Sequence, residues 1–396
     1  MGQPSASAGA VGALSGVRVL DVSRMIAAPF AAMCLGDMGA EVIKIERAGV
    51  GDDTRHFGPF DEHGESPYYA AFNRNKRSVA LDLSSPTGVT VVRRLALEWA
   101  DVVIENFKDG TLERWNLALA DLRREKPALI TASLRGYPEG DSRPGYDFVI
   151  QAASGLMSMT GEPDGAPMRV GIPIADIIAG HFLLSGVLAA LYERRRSGLG
   201  QHVSVSLYEA QAAVMSYAAQ QYLSLGVAPV RVGNGNTSAG PYGVYPTATS
   251  PVAVCCGAQR QFEALARELG RLDWLEDERF SSNQKRVEHR DELDRQLTEM
   301  LATRTREEVI ELMHRAGVPA GPVQTLPEML EQDPASFRMV RTAPTSDGKE
   351  MRVLALPWQF SRTPAEPRFA VRRLGEDTEE VLKELGIPLP VDDATQ

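Results

Sequence analysis

The chain reads as an α/β protein with a mostly parallel sheet. Short apolar runs alternate with helical stretches from Val17 to Leu207, and most of the runs are apolar enough to be buried strands. A change of character at Gly226 adds a second, smaller region. Taken in order, Val17–Val22 is a strand, Pro29–Met38 a helix and Glu41–Glu46 a strand. Pro86–Trp99 is helical, Asp101–Glu105 a strand, Leu119–Glu125 a helix and Ala128–Leu134 a strand. A helix crowded with small residues runs from about Ile177 to Arg196, followed by the strand Gln201–Leu207 and the helix Glu209–Leu223. Residues 226–251 are rich in Gly, Pro, Asn, Ser and Thr, and Gln259–Leu269, Arg290–Ala302 and Arg306–Ala316 are charged helices. Met351–Leu356 and Asp377–Leu385 supply a late strand and helix. They are too few for a domain and are expected to return to the first one.

The expected organisation is therefore a disordered tail over 1–15, a large domain over 16–225 and an inserted small domain over 226–334. Residues 335–396 complete the large domain. A chain of 396 residues supports two cores without covalent staples. With 43% hydrophobic and 24% charged residues it is globular in composition, not disordered. The net charge of −10 argues against nucleic acid and anionic membrane as partners. Cys34, Cys255 and Cys256 cannot all pair, so reduced thiols and a cytoplasmic location are expected. No signal peptide is read at the N-terminus. The apolar run Phe182–Tyr192 is too short to span a bilayer.

Several chemistries lack their motifs. No Gly-x-Gly-x-x-Gly follows the first strand, and no Walker loop, Gly-x-Ser-x-Gly, His-Glu-x-x-His or Cys-x-x-Cys occurs. His56 and His63 with Asp52, Asp53 and Asp61 read as a solvated loop in preference to a metal site, because Gly58 and Pro59 interrupt them.

Four segments make a recognisable set: Leu20-Asp-Val-Ser-Arg-Met-Ile-Ala-Ala-Pro29, Leu35-Gly-Asp-Met-Gly-Ala-Glu-Val-Ile-Lys-Ile-Glu-Arg47, Phe72-Asn-Arg-Asn-Lys-Arg-Ser-Val-Ala-Leu-Asp-Leu83 and Val103-Ile-Glu-Asn-Phe107. Gly110, Gly145-Tyr-Asp147, Gly155–Gly161, Asp176 and Arg196–Val203 extend it. The combination resembles the family III coenzyme A transferases, a superfamily that includes formyl-CoA transferase, carnitine CoA-transferases and α-methylacyl-CoA racemase. The resemblance runs from Gly16 to Gly386. It implies a Rossmann-like large domain built from both chain ends, an inserted small domain, and an interlocked homodimer.

The resemblance makes Asp176 the nucleophile, in the turn before the small-residue helix. A carboxylate suits that role because thioester and anhydride have similar acyl-transfer potential, so attack on an acyl-CoA is not steeply uphill. The bland alternative is that Asp176 caps that helix. Positions matching the family's CoA contacts are Ala27, Arg47, Leu81, Asp82, Leu83, Ser84, Asn106, Phe107, Arg114, Arg135 and Tyr137. No permanently bound cofactor and no metal is expected; coenzyme A and acyl-CoA are substrates.

The stretch around Gly51–Arg55, Tyr68-Tyr69 and Asn73–Arg77 most resembles the branch that uses succinyl-CoA with dicarboxylic acids. Arg55 and Arg74 are then candidates to hold a second carboxylate. Ile26, Gly233, Asn234 and Gly235 are further candidates near the acyl group. Ile26 stands where formyl-CoA transferase has Gln, which counts against formate and oxalate chemistry. Asp377 falls where a His is common. The rival activity is acyl-CoA racemisation, but the family's racemase His is Tyr146 here, and an ordinary phenol is a weak base at neutral pH. A non-catalytic CoA-binding homologue is the second rival.

Overall fold

A computed structural model describes residues 12–62 and 64–387. Two compact units form. The first contains the residues up to Ser154, Gly171–Ser216 and those from Ala335 on; the second contains Gly155–Val170 and Tyr217–Pro334. The second unit thus takes in 155–170 as well as the segment beyond 216, a stretch the sequence reading assigned to the large domain. The tail expected over 1–15 falls largely outside the described residues. Its last part is ordered: the Leu14 amide donates to Met38 O, and Leu14 packs on the core.

The first unit is a six-stranded sheet of order β3-β2-β1-β4-β5-β6, all neighbours parallel. Its strands are β1 (Arg18–Asp21), β2 (Glu41–Arg47), β3 (Lys76–Leu81), β4 (Val102–Glu105), β5 (Ile130–Arg135) and β6 (His202–Ser206). Between them run α1 (Ala27–Asp37), α2 (Pro67–Asn73), α3 (Pro86–Arg94), α4 (Thr111–Arg114), α5 (Leu119–Glu125), α6 (Asp147–Ala153) and α7 (Ile174–Ser197), and α8 (Leu207–Ala213) follows. Side chains alternate across each strand. Val19, Val42, Val102 and Ile130 therefore join a core with α1 and α7, while Leu20, Ile43, Val79 and Val103 join one with α3 and α5. The strand β3 escapes the sequence reading because its first three residues are Lys76, Arg77 and Ser78, which look like a loop.

The same alternation places Asp21, Lys44, Glu46, Lys76 and Ser78 on the α1 face, with Asp21 ending β1, Lys44 and Glu46 in the middle and carboxyl part of β2, and Lys76 and Ser78 in the amino half of β3. All five are buried.

The small-residue helix α7 starts earlier than expected and lies against α1, β5, β6 and α8. Its small residues are what permit this: a Cβ on Gly180 would lie 2.6 Å from Ala27 O, and one on Gly186 would lie 2.6 Å from the Val203 side chain. By length and composition α7 could cross a membrane, which the shorter run Phe182–Tyr192 concealed.

In the second unit α9 (Ser216–Leu225) is separated from α8, where one helix was expected, because Ser216 takes a left-handed φ of 52°. An antiparallel sheet of β7 (Tyr242–Tyr245), β8 (Val252–Cys255) and β9 (Ala320–Pro322) shares a core with α10 (Gln259–Glu268), α11 (Asp273–Glu276), α13 (Arg290–Leu301) and α14 (Arg306–Arg315), and Arg286 of α12 (Asn283–Glu288) is buried over the Phe262 ring. After Pro334 the chain returns to the first unit. Its late strand does not join the parallel sheet but pairs as a hairpin, β10 (Val340–Pro344) with β11 (Glu350–Leu354). The helix α15 (Thr378–Glu384) covers the α3 face beside β3.

Candidate active site

Asp176 is the third residue of α7, not its cap. The N-cap position is Pro173, which has no side-chain acceptor to offer. Capping comes instead from Asp147, at the head of α6: its Oδ1 accepts from the Ala175 amide at 2.8 Å and its Oδ2 from Gln151 Nε2 at 2.7 Å. No cation among the described residues offsets the Asp176 carboxyl. Burial, and then the neighbouring Asp147 charge, push it up to about 7, against the pull of a helix N-terminus. A carboxyl that still exchanges its proton near neutral pH is poised to act as a nucleophile once ionised.

One turn along α7, Gly180 receives Ala27 O and the Phe30 ring. The start of α1 is thereby held beside the Asp176 helix. Ile26 stands at the N-cap of α1 and makes no capping hydrogen bond, and Ile26, Ala27 and Ala28 are all buried. The first amides of a helix have no intrahelical partner, so this terminus keeps donors for an anion.

The remaining positions gather where an open parallel sheet holds its ligands, at the carboxyl ends of strands beside the β1/β4 reversal of order. Asn106, after β4, exchanges two hydrogen bonds with the Arg24 main chain, at 2.8 and 2.7 Å. The Arg24 guanidinium lies 5.5 Å from the centre of the Phe107 ring. Arg24 and Arg47 are both largely exposed and share one loose acidic neighbour, Asp53, at 3.5 and 3.9 Å. Arg114 ends α4, and its guanidinium bonds to Thr111 Oγ1. Asp82 folds the turn after Leu81 by accepting from the Ser84 amide and hydroxyl, with Leu83 between them. Arg135 is already engaged with Glu105 and Asp109, and Tyr137 is buried against Tyr208 with the Arg143 guanidinium over its ring.

Two of the candidate substrate-binding residues are already engaged with acids of the chain. Arg55 forms a two-point ion pair with Glu46, at 2.7 and 2.8 Å, and also donates to the Tyr69 hydroxyl and Arg372 O. Arg74 is buried and grips Asp37 at 2.6 Å. A guanidinium so committed cannot also clamp a substrate carboxylate without leaving a buried acid unpaired. Sequence proximity to the motif suggested a binding role; the pairing acids lie nine residues before Arg55 and thirty-seven before Arg74.

Gly233, Asn234 and Gly235 lie in the second unit. There Gly233 has φ 57° and a Cβ on it would lie 2.8 Å from the Glu162 carboxylate, while Gly235 abuts Arg290. Asp377 is structural: its Oδ2 accepts from the Ser78 amide, fastening α15 to β3. His56 bonds Val50 O, and His63 lies outside the described residues. Among the described residues no cluster of His, Cys, Asp and Glu is placed to hold a metal ion. Sequence reasoning missed Arg24 and the capping role of Asp147. The first was signalled by its place just beyond β1, the second by the Gly145-Tyr-Asp147 motif.

Fold and site together define an α/β protein that offers arginines and free amides to an anionic ligand, beside a half-buried carboxyl whose titration is pushed up toward neutral pH. Residues 14–378 match the model of CoA-transferase family III. A succinate–glutarate CoA-transferase of Agrobacterium fabrum is 38% identical over 94% of this chain and 95% of that protein. A mouse succinyl-CoA:glutarate CoA-transferase is 35% identical over 84% of this chain and 76% of its own length. The crystal structure of a CAIB/BAIF family protein from Brucella suis superposes with a TM-score of 0.86 at 34% identity, covering 95% of this chain and all of that one. The chain belongs to CoA-transferase family III and is an enzyme of that class.

Proposed function

We propose that the protein moves coenzyme A from succinyl-CoA to a second dicarboxylic acid such as glutarate, with Asp176 as nucleophile. The observation that carries this reading is the half-buried Asp176 carboxyl, pushed up to about 7, on a helix whose Gly180, one turn further along, meets the start of α1. Ionised Asp176 attacks the thioester carbonyl; the carbon–sulfur bond breaks, giving an aspartyl–acyl anhydride and CoA thiolate. The thiolate attacks the aspartyl carbonyl of the anhydride, forms the aspartyl-CoA thioester and frees succinate. The acceptor carboxylate attacks that thioester in turn and expels the thiolate. The thiolate then takes the acyl group from the new anhydride, restoring Asp176. Free amides at α1 stabilise the oxyanion of each tetrahedral state, and Arg24, Arg47 and Arg114 face the CoA phosphates. CoA enters and leaves as substrate, with no resident cofactor.

The choice of dicarboxylic acids rests on the relatives named above, not on Arg55 and Arg74. In the same reading the protein is a cytoplasmic, interlocked homodimer. Its large domain is Rossmann-like, built from both chain ends around an inserted small domain. Reduced thiols at all three cysteines fit that compartment. The exposed face of α7, with Phe182 43% and Tyr192 81% accessible, is an apolar surface that a second copy would cover.

Replacing Asp176 with Ala is expected to leave a folded dimer with CoA transfer reduced at least about a thousandfold. Transfer read by mass spectrometry across succinate, glutarate, mesaconate, oxalate and carnitine tests the acids. Persisting transfer in that variant, or activity confined to monocarboxylates, would refute the corresponding half of the reading.

A further inference from the structure

Under the turn that leads into α1 lies a closed group of charges with little contact with water: Asp21, Lys44 and Lys76 from the sheet and Asp52 from the loop after β2, with side chains at most 1% accessible. Lys44 Nζ is 3.0 Å from Asp52 Oδ2, and Lys76 Nζ is 2.9 Å from Asp21 Oδ2. Buried ion pairs of this kind add little net stability over apolar residues of the same size, so stability alone does not account for them.

What distinguishes this group is that every member also holds main chain between Ser23 and Pro29. Asp21 Oδ1 accepts from the Ser23 amide at 2.9 Å, Lys44 donates to Ser23 O at 2.9 Å, Asp52 Oδ1 accepts from the Met25 amide at 3.3 Å, and Lys76 donates to Pro29 O at 2.8 Å. Between these anchors Met25 takes φ 69°, a left-handed conformation that costs a non-glycine residue on the order of 1 kcal/mol or more and persists only where its surroundings impose it. Ile26 and the uncapped start of α1 follow immediately. By contrast α2 and α3 begin on ordinary serine caps, Ser66 and Ser85.

We propose that Asp21, Lys44, Asp52 and Lys76 are positioning residues for the transfer reaction. They pin the turn Ser23–Pro29 from below, so that the start of α1 keeps free donors in a fixed place beside the Asp176 helix. The proposal deepens the CoA-transfer reading and rests on it. Pre-set donors matter most where charge develops in the transition state, so loosening the turn lowers kcat more than it weakens acyl-CoA binding.

Asp52→Ala removes one anchor from the Met25 amide and the partner of Lys44. The folded variant is expected to lose at least about tenfold in kcat, with the acyl-CoA dissociation constant changed less than about threefold. Asp52→Asn keeps an oxygen for that amide and recovers most of the loss. If Asp52→Ala does not fold, Met25→Val carries the same expectation, because a β-branched residue opposes the left-handed backbone without touching a charge. A folded Asp52→Ala or Met25→Val with wild-type kcat overturns the proposal. Hydrogen exchange at 23–29 separates it from the parent reading. Faster exchange in Asp52→Ala supports pinning even if the wild type proves to transfer no CoA, a result that would sink the transferase assignment instead. Unchanged exchange sinks the pinning whatever the activity.

Discussion

Asp21, fully buried, and Asp176, half-buried, are carboxyls in the same unit, and their titrations shift in opposite directions. Burial raises the Asp21 carboxyl, but Lys76, Lys44 and the Ser23 hydrogen bond together outweigh that and hold it below the ordinary range. Asp176 gains no such cation among the described residues, and burial with the Asp147 charge raises it to about 7. Burial alone therefore decides little. The charges each acid meets make one a structural anchor and leave the other available for chemistry.

The largest expected effect breaks the first half of that comparison. Asp21→Ala leaves two buried lysines short of a partner and should cost about 3–5 kcal/mol in chemical denaturation at pH 7. Because the folded value is depressed, the stabilisation is present above about pH 4 and is lost as pH falls through the folded value, so the gap to wild type closes in acid.

Asp176→Asn should have the opposite sign. A folded value raised to about 7 makes the charged form a burden that is full above pH 7 and absent below about pH 4. The variant is expected to be more stable than wild type at pH 8, by up to about 4 kcal/mol, and equal to it near pH 4. Thermal unfolding at both pH values checks this; a destabilised variant at pH 8 would mark Asp176 as a structural residue.

Asp147→Asn sharpens the second half. The wild-type kcat/KM should rise with pH through about 7 as Asp176 ionises. Removing the neighbouring charge should move that rise about one unit lower while keeping an acceptor for Ala175. The smallest effect concerns a cation with no buried acid. Arg47→Ala should raise KM for acyl-CoA about three- to tenfold and leave the melting temperature unchanged, since its acidic neighbour Asp53 is at 3.9 Å and both are exposed.

Much of this was legible in sequence. The alternation of apolar runs with helices marked five of the six parallel strands. It failed at β3, where Lys76 and Ser78 turn inward to meet charges and so break the apolar pattern. The motif around Asp176 marked a residue but not its state, because Asp147 lies twenty-nine positions earlier in the chain. The partners of Arg55 and Arg74 were hidden in the same way. Nothing local to these arginines shows that Glu46 and Asp37 already occupy them.

By itself, then, the sequence determined the α/β class, the residues at the strand ends and the family they resemble. These follow from periodicity and from runs of neighbouring residues. The tertiary structure alone decided which arginines are free, which acid caps α7, why Asp176 holds its proton, and what lies beneath Met25. Each of those depends on charges that folding brings together, where a close partner outweighs any local preference.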